Sequence, residues 1–260
     1  SLSRDLKDHK EGNAYFLASA PFEVYPKVRI PIPKRSRYIR ELIEWKPDVI
    51  HSQCEFFTYS YALYIQNATG ASLVHTYHTL YEHYTSYIPF GRIFGKAALK
   101  FWLKRRLKHV DKIIAPTEKV AENVRHYGVK GDIKIVPTGI DLSMFLQDVE
   151  EEEIAEIKAK YGILPSDKVM VSIGRLGVEK NIEELIDGMV LLKDRYKDLK
   201  LLLVGDGPNK GALLRKVEDM GLKDRVIFTG MVPPSEVYKF YRLGDFFACA
   251  STSETQGLTY

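Results

Sequence analysis

The sequence contains few cysteines and no long apolar run, and both shortages narrow what the protein can be. Only two of its 260 residues are cysteine, Cys54 and Cys249, and they lie far apart in apolar surroundings. Two thiols so placed do not make the disulfide framework of a small secreted domain, so we expect a reducing, cytosolic compartment. No apolar stretch approaches the roughly 20 residues that a membrane-spanning helix needs. We therefore expect no membrane span.

A strong excess of one charge is missing as well. Lysine and arginine number 38 against 34 aspartate and glutamate, which gives a formal net charge of +4 at pH 7. This mildly basic balance is not the profile of a nucleic-acid-binding protein, so we expect no nucleic acid partner. The sequence also lacks any Asp-x-Asp pair, and we expect neither a carboxylate-bound metal ion nor another bound cofactor.

The sequence does contain a regular alternation of short apolar runs and helical segments. The runs of the first half are "PDVIHSQ", "ASLVHTYHT", "VDKIIAPT" and "IKIVPTG", and those of the second are "KVMVSIGRL", "LKLLLVGDGP", "RVIFTG" and "DFFACAS". Apolar strands separated by helices are typical of parallel sheets covered on both faces. We predict an α/β fold of two doubly wound domains, residues 1–141 and 142–260, facing each other with ligands at the strand ends between them.

The two ends of the sequence fit this pattern less well. The opening "SLSRDLKDHK" has the character of an exposed helix, and the final "ACASTSETQGLTY" stops just after a strand. We therefore expect a fold that is incomplete at both ends.

The strand ends of the second half carry glycines and polar side chains. A glycine turn, two cations five residues apart and a helix N-terminus favour a diphosphate, and a lone carboxylate can hold hydroxyl groups. Each strand end alone could be an ordinary surface turn, but four in succession favour a nucleotide-diphosphate ligand with a polyhydroxylated group. The candidate residues are Gly174, Arg175, Lys180, Gly205, Gly207, Gly230, Met231, Glu254, Gln256, Gly257 and Leu258.

These segments resemble a known family. "GRLGVEKNIEELI", "LLLVGDGPNKGALL", "VIFTGMVPPSEV" and "ASTSETQGLTY" resemble the retaining, nucleotide-sugar-dependent glycosyltransferases of GT-B fold, family four. "PDVIHSQCEF", "LVHTYHTLYEHYTSYI" and "VPTGIDLSMF" resemble, more narrowly, its bacterial branch of 1,2-diacylglycerol 3-glucosyltransferases. The resemblance implies transfer of a hexose, expected to be glucose, from UDP-glucose to a lipid such as diacylglycerol, with retention and without a metal ion.

The resemblance also implies roles for individual residues. Arg175 and Lys180 match the family's diphosphate-neutralising cations, and Glu254 matches the first of two acids that hold the hexose hydroxyls. The second acid of that pair would fall beyond Tyr260. The loop whose amides meet sugar and phosphate is matched by Gln256, Gly257 and Leu258, and the histidine beside the sugar is matched by His78.

The histidines of the first half allow more than one interpretation. His75 and His78 are three residues apart on a predicted strand, so they point to opposite faces. We take His78, nearer the strand end, as the site residue and His75 as a packed core residue. His51 could line the cleft with Gln53 or serve the fold. A zinc site of His75, His78 and His83 has chance spacing and no cysteine partner, which disfavours it.

A basic segment, residues 87–112, is the remaining informative feature. Its Phe-rich apolar side and cationic stripe favour an amphipathic helix that lies on a membrane surface, which predicts peripheral attachment to the inner face of an anionic cell membrane. The alternative is a domain helix that packs its Phe face on the sheet. The proposed membrane-binding cations are Arg92, Lys96, Lys100, Lys104, Arg105, Arg106 and Lys108, and the apolar face comprises Phe90, Ile93, Phe94, Ala97, Ala98 and Phe101, with Trp102 at its margin.

Other functions share this architecture, because a fold does not select a reaction. A glycosyltransferase of the same fold could act on a soluble sugar or polysaccharide. A nucleotide-sugar epimerase and an inactive nucleotide-sugar binder are further alternatives.

Overall fold

The protein is described by a computed structural model that covers residues 2–4, 6–21, 29–31, 36–81 and 91–259, with the backbone alone at residues 91–94 and 96. The chain divides into two compact units, Ser1–Thr138 and Gly139–Tyr260. Both are built on a four-stranded parallel sheet with helical crossovers, which confirms the predicted α/β class.

The N-terminal segment of unit 1 forms hairpins, and the predicted exposed helix at its start is wrong. Leu2 forms a β-bridge with Leu17, and the Ser3 amide donates to the Leu17 carbonyl at 2.7 Å. Leu17 is buried against Tyr38 and Ile39, so tertiary packing of these side chains overrides the local helical preference. The antiparallel pairs are β1 (His9–Glu11) with β2 (Ala14–Phe16) and β3 (Ser19–Pro21) with β4 (Arg29–Pro31).

The sheet of unit 1 contains four parallel strands in their chain order. They are β5 (Val49–Ser52), β6 (Ser72–Thr76), β7 (Lys112–Ala115) and β8 (Asp132–Ile135). Parallel neighbours need long crossovers, and here the crossovers are helical. The helices are α1 (Arg37–Trp45), which precedes the sheet, and α2 (Phe57–Thr69), α3 (Gly91–Leu107) and α4 (Glu118–His126), which connect its strands.

One apolar core holds unit 1 together. Leu73 and Ile113 of the sheet pack with Leu103 of α3, Val120 of α4 and Tyr59 of α2, and none of the five is more than 1% exposed. Burial of side chains of this size contributes about 1.5–3 kcal/mol each. This core fixes where β5 and β6 end, and therefore where their following polar residues lie.

The sheet of unit 2 is apolar on both faces, as continuous apolar strands predict. Leu201 and Leu203 pack on one side of the sheet, and Leu202 and Val204 pack on the other. Its strands are β9 (Lys168–Ile173), β10 (Leu199–Val204), β11 (Val226–Gly230) and β12 (Phe246–Phe247). Its helices are α5 (Glu151–Lys160), α6 (Ile182–Leu192), α7 (Lys210–Asp219) and α8 (Val237–Leu243).

The strand order of unit 2 reverses at one place. The sheet reads β11-β10-β9-β12, so the chain moves outward through β10 and β11 and then returns to the other side of β9. In open parallel sheets, such a reversal opens a crevice at the carboxyl ends of the two strands, and ligands bind there. The loops that border this point are 174–181 after β9 and 248–259 after β12.

The loop after β10 packs directly on the loop after β9. The Gly174 amide donates to the Val204 carbonyl at 2.9 Å, and the Leu176 amide donates to the Asp206 carbonyl at 3.0 Å. A Cβ atom on Gly207 would lie 2.7 Å from the backbone N and C atoms of Leu176, closer than side chains tolerate. A glycine is therefore needed here for the contact between two backbones.

We predict that Gly207→Ala lowers the free energy of unfolding by about 1–3 kcal/mol, because the added methyl group meets backbone that cannot move aside. Gly188→Ala is the matched control. A Cβ atom there meets nothing within 4 Å, and the position lies inside α6, so alanine should add up to about 1 kcal/mol of stability. Urea unfolding of both variants measures the difference. Equal effects would contradict the packing described here.

Candidate functional site

The loop after β9 presents two cations within a short, well-defined turn. Arg175 follows the strand, and a single 3₁₀ turn, Val178–Lys180, ends in Lys180. The chain then passes through Asn181 in the left-handed region (φ 51°, ψ 36°) before α6 begins. Asparagine is one of the few residues that enter this region readily. The backbone geometry therefore fixes the direction in which Lys180 leaves the turn.

Each cation is paired with a carboxylate. Arg175 donates to Glu179, whose side chain is only 1% exposed. Lys180 Nζ lies 2.5 Å from Glu254 Oε1, and both of these side chains remain partly accessible. Arg175 and Lys180 belong to the loop after β9, and Glu254 belongs to the loop after β12. The structure thus brings Lys180 and Glu254 into contact at the point of strand reversal, with Arg175 on the same loop as Lys180.

The electrostatics of the site are more balanced than the sequence suggests. The two cations face Glu179 and Glu254, and the first turn of α6 carries Glu183 and Glu184. Acids in that first turn already complement the partial positive charge of the helix end. The site is therefore a set of matched charges, not a purely positive pocket.

Other predicted donor-site residues lie after β11 and β12. Gly257 has a φ of +72°, and the Tyr241 hydroxyl donates to the Thr259 carbonyl at 2.9 Å, which holds the end of the segment. Met231 follows β11 and is 67% exposed. Gln256 is partly buried and Leu258 is exposed.

The glycines of the site are explained mainly by contacts between loops. The Gly205 amide donates to the Gly230 carbonyl at 3.0 Å. A Cβ atom on Gly205 or Gly207 would collide with the backbone of the loop after β9, at Gly174 and Leu176 respectively. Their packing role stands independently of any role in ligand binding.

His78 lies after β6 in unit 1. Its Nε2 atom lies 3.0 Å from Gln53 Oε1, a contact in which the ring donates to the amide oxygen. Burial lowers the pKa of His78 below its usual range, the Glu55 charge opposes this effect, and His75 and His51 lower the pKa further. Burial therefore favours the neutral imidazole.

Beneath His78 lies a buried polar network that the sequence did not reveal. His75 is fully buried, as predicted, and it bonds Ser52 Oγ at 2.6 Å and Glu55 Oε1 at 3.1 Å. Tyr81 donates to the second oxygen of Glu55. Burial, followed by the Glu55 charge, raises the pKa of Tyr81. The sequence signal for Glu55 was weak: an acid shortly after a predicted strand.

The remaining histidine predictions have different outcomes. His51 Nε2 lies 2.7 Å from Thr76 Oγ1 on the neighbouring strand. His83 lies outside the described residues. Within the part of the chain that is described, no three His, Cys, Asp or Glu residues form a group that could hold a metal ion.

Helix α3 turns a different apolar stripe toward the core than its sequence suggests. Leu103 and Leu107 are buried, whereas Phe101 is 69% exposed and Ala97 and Ala98 are also exposed. The part of the Phe face that is described therefore does not pack on the sheet, and that alternative is wrong for these residues. The helix carries two apolar stripes, and the sequence pattern alone did not distinguish the buried one.

The cations of α3 also divide into two groups. Lys100, Lys104, Arg105 and Lys108 are exposed. Arg106 points inward: its guanidinium donates to the Glu55 carbonyl at 3.1 Å and the Phe56 carbonyl at 2.8 Å, and it lies 4.9 Å from the ring of Tyr59. The side chains of Arg92 and Lys96 lie outside the described residues. Among the helices described, none has the length and apolarity to cross a bilayer.

Comparison with protein families agrees with this arrangement. The family model described as Glycosyltransferase Family 4 matches residues 2–144, and the one described as Glycosyl transferases group 1 matches residues 153–260. The chain belongs to the family-4 glycosyltransferases.

Two similar relatives in this family are α-monoglucosyldiacylglycerol synthases. The Streptococcus pneumoniae protein is 34% identical over 262 residues, covering 100% of this chain and 59% of the relative. The Acholeplasma laidlawii protein is 31% identical over 260 residues, covering 92% of this chain and 65% of the relative. The chain therefore spans roughly six tenths of the length of these glycosyltransferases.

A solved structure supports this fold. Anabaena Alr3699/HepE, crystallised with UDP and glucose, superposes with a TM-score of 0.68 at 16% identity, over 85% of this chain and 58% of that chain. At such low identity the likeness concerns the fold alone. The fold is the GT-B architecture, built from two Rossmann-like units.

Two candidate residues are not indicated by the sequence pattern. Glu179 was missed although it lies four residues after Arg175, a spacing at which opposite charges on one turn meet. Gln53 was considered only beside His51, whereas the structure pairs it with His78. In both cases the partner depends on loop geometry that sequence spacing does not specify.

We predict that His78 titrates below the ordinary histidine pKa of 6.5, because burial disfavours the imidazolium. Histidine NMR titration measures this, with His78→Asn to assign the resonance. Glu55→Gln should lower the value further, since it removes a negative charge that favours protonation. A midpoint at or above the ordinary value would contradict the burial of this side chain.

Proposed function

We propose that the protein is a retaining hexosyltransferase that moves glucose from UDP-glucose to a lipid acceptor such as diacylglycerol at a membrane surface. The observation that carries the proposal is the contact of Lys180 with Glu254 at the strand reversal of unit 2, with Arg175 on the same loop as Lys180. The names of the two relatives support the lipid acceptor and the glucosyl group.

The order of charges in the site matches the order of groups in a nucleotide sugar. In such a donor, the hexose is bonded directly to the second phosphate. A cation for that phosphate must therefore lie next to a group for the sugar hydroxyls. Lys180 and Glu254 are adjacent, with 2.5 Å between Nζ and Oε1. An ammonium has three N–H donors, so Lys180 can hold both Glu254 and a phosphate oxygen.

Transfer requires stabilisation of a departing diphosphate. As the bond between the anomeric carbon and the phosphate oxygen breaks, negative charge grows on UDP. Arg175 and Lys180 are held in place before this happens, and prepositioned charge of this kind is the main source of electrostatic catalysis. In this proposal the acceptor oxygen bonds to the anomeric carbon from the same face, and its proton passes to the leaving phosphate.

The anomeric configurations of the donor and of the product support retention. Glucose in UDP-glucose is α-linked, and the names of the relatives specify an α-glucoside as the product. An α product from an α donor keeps the anomeric configuration. His78 keeps in this proposal the role that the family resemblance implies, contact with the donor sugar, and its lowered pKa makes it a neutral hydrogen-bonding group.

The exposed surface of α3 supports a lipid acceptor. Phe101 is flanked one turn away by Ala97 and Ala98 on one side and by Lys104 and Arg105 on the other, the spacing at which helix side chains are neighbours. An exposed aromatic ring among cations suits the boundary between lipid headgroups and acyl chains. A shallow pocket of about 290 Å³ adjoins this surface, lined by Leu63, Trp102, Arg105, Arg106, Lys108 and His109.

Incubation with radiolabelled UDP-glucose and vesicles that contain diacylglycerol tests the proposal. Label in the lipid fraction supports transfer to lipid. Release of a free epimer would favour an epimerase, and label in an added soluble sugar would favour a different acceptor. No turnover together with UDP binding would favour an inactive binder.

We predict that Lys180→Ala lowers turnover by about 10²–10³-fold, the cost of removing one fixed electrostatic group from a transition state. The matched control is Lys239→Ala. Lys239 pairs with Glu153 at 2.7 Å, and its side chain is 23% exposed against 26% for Lys180, but it lies on α8 away from the strand reversal. Steady-state kinetics of both variants measure the effect. Turnover of Lys180→Ala close to that of Lys239→Ala would exclude Lys180 from the site.

We predict that the triple change Lys100→Glu, Lys104→Glu and Arg105→Glu abolishes binding to anionic vesicles. Each cation near an anionic surface contributes about 1 kcal/mol, and the substitutions reverse that contribution. Arg106 is left unchanged because it bonds within unit 1. Vesicle sedimentation at moderate salt measures binding, and neutral vesicles should bind the wild type only weakly.

The control for this experiment is a second triple change, Arg40→Glu, Lys119→Glu and Lys130→Glu. It alters the net charge equally at exposed positions outside α3. This variant should retain most of its binding. If both triple variants bind anionic vesicles as the wild type does, α3 is not the membrane-binding surface.

A further inference from the structure

We infer that Glu179 is a positioning residue of the donor site, which orients Arg175 through its carboxylate and ties down the Glu254 loop through its carbonyl. The inference rests on the proposed function, because it concerns how that site is held ready for a diphosphate. Glu179 itself lies beneath the surface and would not touch the donor.

The burial of Glu179 is the first argument. The residue is 5% exposed and its side chain 1%. A carboxylate buried to this extent without a partner would cost several kcal/mol. Arg175 supplies the compensating charge and a hydrogen bond. Because the acid is buried, few arrangements of the pair satisfy it, so Glu179 determines the position of the guanidinium from below.

The local sequence makes room for this carboxylate. A Cβ atom on Gly177 would collide with the carboxyl group of Glu179. Glycine therefore allows the acid to fold back under its own turn toward Arg175. Arg175 and Glu179 lie four residues apart with Gly177 between them, and this spacing places both partners on one compact loop.

The backbone of Glu179 connects the two loops of the site. Its carbonyl accepts from both the amide and the hydroxyl of Thr252, each at 3.2 Å. The next residue, Lys180, contacts Glu254, which lies two residues after Thr252. Two consecutive residues of the loop after β9 thus hold two nearby points of the loop after β12, which sets the distance between the cations and the sugar-binding acid.

Part of the Arg175 side chain remains accessible from solvent. The Arg175 side chain is 36% exposed, whereas Glu179 is almost fully covered. The covered side of the guanidinium therefore faces its anchor, and the accessible side can face a phosphate. A side chain already held in place loses less entropy on binding.

A positioning role for Glu179 and a simple charge effect predict opposite changes in diphosphate affinity when the charge of Glu179 is removed. If Glu179 were only a negative charge near the donor, its neutralisation would strengthen binding of a diphosphate. If it orients Arg175, the same change weakens binding, because the guanidinium loses its anchor. Glu179→Gln separates these outcomes, since glutamine keeps the size and a carbonyl oxygen but removes the charge.

The test measures UDP binding by calorimetry in the wild type, Glu179→Gln, Arg175→Ala and the double variant. We expect Glu179→Gln to weaken binding by about tenfold, within the range of coupling between contacting residues. In the Arg175→Ala background, the same change should have no further effect. UDP binding by Glu179→Gln equal to or tighter than that of the wild type would overturn the inference, as would losses that multiply in the double variant.

Asp167→Asn is the matched control for an effect of folding alone. Asp167 is 6% exposed in the same unit, accepts from the Leu164 amide at 2.8 Å and lies 3.8 Å from Lys200 Nζ. The Asp167→Asn substitution should lower the midpoint of urea unfolding without altering UDP affinity. If Asp167→Asn lost as much UDP affinity as Glu179→Gln, the loss in Glu179→Gln would be explained by general destabilisation. That result would overturn the inference.

A ligand-independent measurement separates this inference from the proposed function. Nitrogen-detected NMR of the arginine side chains should show slow rotation of the Arg175 guanidinium in the wild type and fast rotation in Glu179→Gln. A wild-type protein that binds no UDP would contradict the proposed function. Fast rotation in the wild type would contradict the positioning role of Glu179, whatever the protein binds.

Discussion

The parallel pairing of β9 with two neighbours is the constraint on which unit 2 depends. β9 pairs with β10 along six residues on one side and with the two residues of β12 on the other. β12 has only two residues, so its pairing with β9 is supported by further hydrogen bonds. The Asp245 carboxylate accepts from the Val169 amide at 2.8 Å and from Lys168 Nζ at 2.8 Å. These bonds fix the start of β12, so the segment that carries Glu254 leaves the sheet beside the end of β9.

The same arrangement occurs beside both candidate sites. In each, a buried carboxylate holds a loop that follows a strand. In unit 2, Glu179 orients Arg175. In unit 1, Glu55 accepts from Tyr81 and contacts His75, and its backbone carbonyl accepts from Arg106. A buried acid is costly unless every partner is in place, which makes such a network intolerant of small displacements. This intolerance suits loops that must present polar groups at fixed positions without a ligand to order them.

Much of the donor site could be predicted from the sequence because parallel strands share one edge for their carboxyl ends. Because "VMVSI" and "DFFACAS" are strands of one parallel sheet, the residues after each of them must emerge at the same edge, and Lys180 of one loop contacts Glu254 of the other. The pairing partners were not predictable to the same degree. The contact of Arg175 with Glu179 depends on a turn that Gly177 permits. A periodic sequence pattern does not predict the shape of this turn.

Helix α3 shows why periodicity alone fails at a surface. Its sequence contains two apolar stripes, one of leucines and one of Phe and Ala, and either could have faced the sheet. The leucine stripe faces the sheet because Leu103 and Leu107 complete the core formed by Leu73 and Ile113. At the N-terminus the polar opening segment suggested an exposed helix, but Leu2 and Leu17 join a small cluster and draw the chain into a β-bridge. In both cases long-range packing decided between local alternatives.

The division of features between the units bears on how such a protein can change its acceptor. Arg175, Lys180, Glu179 and Glu254 all belong to unit 2, and their geometry is set by contacts inside that unit. The exposed surface of α3 belongs to unit 1, where the packing of Leu103 and Leu107 places no requirement on the outward residues Phe101, Lys104 and Arg105. Substitutions on that outer surface therefore leave intact the core that supports the helix. Under the proposed function, a donor site determined by buried contacts and an acceptor surface free of them would let one fold keep its sugar chemistry while its acceptors diverge.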